Sequence, residues 1–204
     1  MSNVLAVLII ALVVSYIGSI PPGTLNLTVI QLGIKGHRSA ALSFAVASAL
    51  VEFFYAGAAV LAQQYFMSNP DLARHFELIT AVVLFIIGVI NLTYRKKGEE
   101  SKISISGKSG FWQGFALSCV NPMAIPFWLT VTAALQSAGW ITITSFNLVF
   151  YLLGISLGTL LLLWQAGLFG QRLTVLQSKP FLMYRLPGFV LLSLSAYTFY
   201  NWYL

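Results

Sequence analysis

Residues 18–28 read GSIPPGTLNLT and follow fourteen residues of nearly pure hydrocarbon, VLAVLIIALVVSYI at 4–17. A helix that crosses a bilayer keeps its backbone hydrogen bonds within itself, because the hydrocarbon offers no others. Pro21 and Pro22 break that rule: proline has no N–H, and its ring clashes with the carbonyl four residues back. The apolar stretch nevertheless continues to Ile34, thirty-one residues in all. As one helix it would be about 46 Å long, well beyond the roughly 30 Å of a hydrocarbon core. The stretch is therefore expected to be two shorter helices with a break near Pro22. Broken backbone at that depth is tolerated only where protein or a water-filled cavity receives it.

The whole chain sets the same context. Its 204 residues are 58% hydrophobic and 8% charged, with a mean hydropathy of +0.86, so too little polar surface remains to face water. That composition predicts an all-α integral membrane protein. Six stretches are long and apolar enough to span: 4–34, 39–62, 76–94, 111–135, 141–166 and 186–204. They fill most of residues 1–204, which leaves a single transmembrane domain and no soluble one.

The net charge of +6 is not spread as a nucleic-acid surface would have it. Lys35 and Arg38 lie between the first two stretches. Arg95, Lys96, Lys97, Lys102 and Lys108 lie between the third and fourth, and Arg172, Lys179 and Arg185 between the fifth and sixth. Arg74 alone falls in an even-numbered connection. With six spans, ten basic residues share one side against one on the other. The positive-inside rule makes that side the cytoplasm and puts both termini outside the cytoplasmic membrane. The closing YTFYNWYL suits an aromatic belt at the outer face. The start, MSN, lacks the basic residues of a cleaved signal, so the first stretch is expected to be retained.

Several chemistries lack their residues. Cys119 is the single cysteine, and His37 and His75 fall on opposite sides in this topology, so no thiol pair or clustered metal site is expected. There is no GxxxxGK[ST] loop for ATP and no nucleophile–base constellation for an enzyme, and no cofactor is expected.

The polar segment RKKGEESKISISGKSG, 95–110, divides the chain into halves 1–94 and 111–204, read as a cytoplasmic linker between two sets of three spans. An odd number of spans gives the halves opposite orientations. Sliding one half by 100 residues puts Pro122 on Pro22 and Asn121 on Pro21. The expected architecture is thus six transmembrane helices as two inverted three-helix repeats, with helices 1 and 4 broken, a recurrent plan among secondary transporters.

The second break is the clearer one. Asn121 is a helix-capping residue and Pro122 suits a first helical position, so helix restarts there with unpaired N–H groups at Met123 and Ala124. Two such positive helix ends make an anion-binding pocket, unless the prolines serve only to kink helices for packing. Glu52, in SALVEFFYAG, is the only carboxylate near the middle of a stretch. At helical spacing it shares a small and polar face with Ala45, Ser48, Ala49, Tyr55, Ala56 and Ala59, away from Leu50, Phe54 and Leu61. Such acids usually lie on ion, proton or substrate routes, the alternative being a protonated structural hydrogen bond. In the fifth stretch Asn147, Tyr151, Gly154 and Gly158 share a face. The glycines read as a packing surface, within the protomer or in a homodimer, with Asn147 and Tyr151 as possible pore lining. Asn26 and Gln31 follow the first break and either line the path or face another helix.

These segments resemble the LysE/RhtB-type amino-acid exporters in PPGTLN at 21–26, GIKGHRSA at 33–40 and NPMAIPFW at 121–128. Pro-Pro-Gly-Thr stands where that family usually has Pro-Gly-Pro, and Met123 where many members carry lysine. The resemblance implies a secondary exporter of an amino acid or related zwitterion, exchanged for protons. Pro21, Pro22, Gly23, Thr24, Asn26, Asn121, Pro122, Met123 and Tyr151 would then touch the substrate and Glu52 would carry the proton. Export of another small solute or a metal cation, and a non-transporting scaffold, are the competing expectations.

Overall fold

The computed structural model describes residues 4–20, 23–67, 70–93, 110–121, 124–169 and 185–203. Among them every regular element is a helix: α1 (Val4–Gly18), α2 (Thr24–Ile34), α3 (Arg38–Met67), α4 (Pro70–Thr93), α5 (Gly110–Cys119), α6 (Ala124–Ser137), α7 (Leu148–Leu168) and α8 (Leu186–Tyr203). The first and fourth apolar stretches are each interrupted, between α1 and α2 and between α5 and α6. The axes of α5 and α6 differ by 69°. α3 and α7 are each long and apolar enough to cross a bilayer, and α5 with α6 makes a third crossing if the bent pair is one span. α1, α2 and residues 81–90 of α4 are shorter apolar helices.

Two boundaries depart from the apolar count. α4 starts at Pro70 rather than at 76, with proline at the first helical position, where its missing N–H costs nothing. α7 starts at Leu148 rather than at 141, because ITITSFN, residues 141–147, is not helical. Hydropathy cannot see why: β-branched side chains lose rotamer freedom in a helix, and Thr, Ser and Asn offer the backbone competing hydrogen bonds. Asn147 supplies them here. Its side-chain oxygen accepts from the Thr144 N–H at 2.7 Å, and its amide donates to the Thr142 carbonyl at 2.7 Å. Asn147 is thus a clamp on the α6–α7 connection. The polar linker, apart from Gly110, lies outside the described residues.

α3 and α7 form the centre. α1 and α2 pack on α7, α5 and α6 pack on α3, α3 packs on α7, and α4 packs along α8. α3 buries Ala45, Ala49, Ala56 and Ala59 and turns Leu50, Phe54 and Leu61 outward, as its spacing requires. Hydrocarbon provides little drive to bring apolar helices together, so close contact and interhelical hydrogen bonds do it. On α7, a Cβ at Gly154 would sit 2.8 Å from that of Ala11, and one at Gly158 would sit 2.7 Å from that of Ser15. The glycine surface therefore packs within the protomer. Ser15 Oγ bonds to the Ile155 carbonyl at 2.7 Å and to Thr159 at 3.0 Å, and Tyr16 donates to Gln165 at 2.6 Å. Ser156 joins α7 to the Ala49 carbonyl of α3 at 2.9 Å.

The α4–α8 crossing has an internal symmetry. A Cβ at Gly88 would meet Leu192 at 2.9 Å, and one at Gly188 would meet Leu92 at 2.9 Å. Gly88 and Gly188, like Leu92 and Leu192, are 100 residues apart. Each member of one pair touches the opposite member of the other, the reciprocity expected across a two-fold axis.

The α1–α7 contact gives a direct test. Gly158→Leu overfills a backbone-to-backbone approach and should destabilise the bundle by about 1–3 kcal/mol. Leu157→Ala, one position round on the exposed face, should do little. Thermal unfolding of the two variants in one detergent compares them.

Candidate functional site

The two breaks end their first helices in the same way. A helix that stops leaves carbonyls without partners, which at this depth must be found among side chains. At the first break the Asn26 amide of α2 reaches back to the Ser19 carbonyl at 2.8 Å. At the second, Tyr55 of α3 donates its hydroxyl to the Cys119 carbonyl at 2.6 Å. Ser19 and Cys119 are again 100 residues apart.

The helix starts beyond the breaks are less fully dressed. Gly23 is the N-cap of α2 in an extended conformation, with no side-chain cap, and among the described residues nothing lies within 4 Å of where its Cβ would be. The first-turn N–H groups of α2 thus begin beside open space, the arrangement that suits an anion. Thr24 is exposed, and its carbonyl accepts the Thr28 hydroxyl at 2.8 Å. Asn121 is half-buried, with its N–H on the Ser118 carbonyl at 3.1 Å. Pro21, Pro22, Pro122 and Met123 lie outside the described residues.

α6 carries the link to Glu52. Trp128, one turn into α6 and wholly buried, donates its indole N–H to Glu52 Oε1. Its neighbour Phe127 stands edge-on to it at 5.0 Å. The Phe127 ring in turn lies against Gly18, where a Cβ would come within 2.7 Å of it. One continuous set of contacts therefore runs from the end of α1, through the start of α6, to the carboxylate on α3. Tyr55, one turn from Glu52 on α3, closes the set at the end of α5.

Tyr151 is also wholly buried and hydrogen-bonds Thr132 of α6 at 2.8 Å. It stands in the same apolar cluster as Trp128 and Ala56. Two members of the arrangement, Trp128 and Tyr55, carry no functional role in the sequence reading. A signal for Trp128 was present: an indole N–H in an apolar helix needs an acceptor, and Glu52 is the one carboxylate near the middle of an apolar stretch.

Apolar helices packed as a bundle, two of the apolar stretches broken, and a half-buried carboxylate in contact with the helix after the second break fit a membrane translocator of small solutes. The comparison with known families agrees: residues 16–201 match the LysE type translocator, and the chain belongs to that family. No curated protein and no solved structure matches it. Translocation rather than enzymatic chemistry is what that membership implies.

Tyr55→Phe keeps the ring and removes the hydroxyl that holds the Cys119 carbonyl. The loss should cost about 1 kcal/mol and loosen the end of α5. Cys119 is exposed and is the single thiol, so maleimide labelling reads the change directly. Faster labelling is expected in Tyr55→Phe than in the parent.

Proposed function

We propose that this translocator exports amino acids or closely related zwitterions across the cytoplasmic membrane in exchange for protons bound by Glu52. The observation that carries the reading is the contact between Glu52 and Trp128, which fastens the one mid-span carboxylate to the beginning of the helix that restarts after the second break. Loading or unloading that carboxylate acts directly on the backbone that faces substrate.

In this reading the substrate carboxylate meets the N-terminal donors of α2 and α6, at Gly23–Thr24 and just beyond Pro122–Met123, with Pro21 and Pro22 keeping the first pair free of helix. Its ammonium group approaches Glu52. Asn26 holds the end of α1, which leaves the donors at the start of α2 for substrate, and Asn121 orients the matching end of the second break. Tyr151, pinned by Thr132, forms the wall behind α6.

The two halves act as inverted repeats. Exchanging α1 with α5, α2 with α6, α3 with α7 and α4 with α8 leaves the main helix pairings unchanged, and the reciprocal Gly88–Leu192 and Gly188–Leu92 contacts support the same relation. Alternating access then amounts to rocking one half against the other about the breaks. Both termini are outside and the connections rich in lysine and arginine are cytoplasmic.

Two experiments test the proposal. Glu52→Gln keeps size and hydrogen-bonding capacity but cannot ionise. In proteoliposomes offered a panel of amino acids, the parent should accumulate its substrate against a gradient when a pH difference is imposed, and Glu52→Gln should lose that response by at least about tenfold while inserting normally. Retained pH-driven accumulation would make Glu52 a structural residue. Reporter fusions after Lys102 and after Leu204 should report opposite sides of the membrane; a cytoplasmic C-terminus would remove the inverted arrangement.

A further inference from the structure

Most serine and threonine hydroxyls in the described helices of this protein spend their proton on a carbonyl. Thr28, Ser43, Thr130 and Ser137 bond one turn back in their own helices, and Ser15, Ser156 and Ser195 reach a carbonyl on a neighbouring helix. Ser48 on α3 and Ser118 on α5 do neither. They are 1% and 2% exposed, and neither Oγ has a hydrogen-bond partner among the described residues. A serine in a helix commonly turns its hydroxyl onto the carbonyl four residues earlier, so two buried ones that do not call for another partner.

Their position says what. α5 lies along α3 in a fixed register, with Gly110 against the Ala40 backbone and Gly114 against that of Phe44. The next step of four residues on both helices brings Ser118 to the level of Ser48. One turn further along α3 is Glu52, and the residue after Ser118 is Cys119, whose carbonyl Tyr55 holds. The hydroxyls thus occupy the α3–α5 seam between Glu52 and the tight Phe44–Gly114 layer. Two buried hydroxyls on one seam, without partners among the described residues, are the polar groups that an ordered water bridges. Further toward the start of α3, where Lys35, His37 and Arg38 stand exposed, lie Ser43 on α3 and the half-buried Gln113 on α5.

We propose that Ser48 and Ser118, bridged by water, relay protons between Glu52 and the face of the membrane on which α3 begins, the cytoplasmic face in the orientation given above. The proposal rests on Glu52 being the proton carrier. In the release direction the carboxyl proton passes to the bridging water, which gives one of its own to a serine Oγ as that serine's proton moves on. Each oxygen gains one proton and loses one, and the net change is one proton fewer on Glu52 and one more on the cytoplasmic side. Other ionisable groups on the helices packed against α3 are Cys119 on α5, Tyr151 on α7, and Asp71, Arg74, His75 and Glu77 near the far end of α4, while α2 and α6 carry none. Cys119 is exposed and Tyr151 is bonded to Thr132, so neither replaces the serines on this route.

Trp128 supplies the readout, since its indole donates to the carboxylate whose protonation is in question. With Trp112, Trp140, Trp164 and Trp202 replaced by phenylalanine, the emission of the full chain in nanodiscs follows Glu52 after a flash-released proton pulse. Ser48→Ala with Ser118→Ala should slow the relaxation at least about tenfold, leave its amplitude and midpoint pH unchanged, and leave the melting temperature equal or higher, because no protein hydrogen bond is lost. Relaxation at the parent rate in the double variant overturns the relay. Stabilisation of the parent, but not of the double variant, by sodium chloride over choline chloride also overturns it, and makes the site one for a metal cation. A signal that persists in Glu52→Gln, or is missing in the parent, removes Glu52 as proton carrier and the relay with it, which separates that failure from a failure of the serines alone.

Discussion

Backbone polarity in hydrocarbon is the constraint from which the rest of this structure follows. Two helices stop inside the apolar part of the chain, and each stop leaves a carbonyl that no solvent can satisfy. Asn26 answers at Ser19 from within the same broken stretch, and Tyr55 answers at Cys119 from α3. The second answer fixes more than a hydrogen bond. With Tyr55 tied to the end of α5, the register of α3 is set, and Glu52 falls one turn before it, opposite the first turn of α6. The glycine contacts at Gly110 and Gly114 hold the same register from the other end of α5. The placement of the carboxylate is thereby a by-product of satisfying the backbone.

The elements that could be read from sequence were those with a local physical cause. Proline without an N–H announced the breaks near Pro22 and Pro122, and helices do end at Gly18 and Cys119 and restart at Thr24 and Ala124. Helical spacing placed Glu52 on the buried face of α3, and Leu50, Phe54 and Leu61 lie opposite. The glycines of α7 were legible as a packing surface, although which helix they meet was not. Relations across the chain were hidden: nothing local to Trp128 names Glu52 as its acceptor, and nothing in Tyr55 names Cys119. The start of α7 was missed for the opposite reason. Ile141 to Thr144 are apolar enough on average, but their β-branched side chains and the clamp by Asn147 keep that segment out of the helix. Pairing of α4 with α8 joins the last helix of each half, a contact that spacing arguments within either half cannot reach.

The buried carboxylate and the breaks are joined by aromatic and amide side chains rather than by ion pairs. Trp128 and Tyr55 hold their acceptors through neutral donors, so neither contact requires a second charge to be stripped of water. That economy leaves Glu52, among the described residues of the bundle centre, a carboxylate whose charge can change without breaking a salt bridge. The neighbouring Phe127 carries any shift of Trp128 to Gly18, and so from one broken helix to the other.

The length of α3 has a consequence for the surrounding lipid. Its 30 residues, from Arg38 to Met67, make a rod of about 45 Å, against roughly 30 Å of hydrocarbon. A rod longer than its medium must lean, project from it or thicken the lipid around it, at a cost that changes with every ångström of mismatch. Because α3 holds Glu52 and Tyr55 against the two parts of the second broken helix, its lean is also the angle at which those contacts are made. Bilayer thickness thereby becomes a mechanical input to the centre of this translocator, and membranes of different acyl-chain length would set those contacts at different angles.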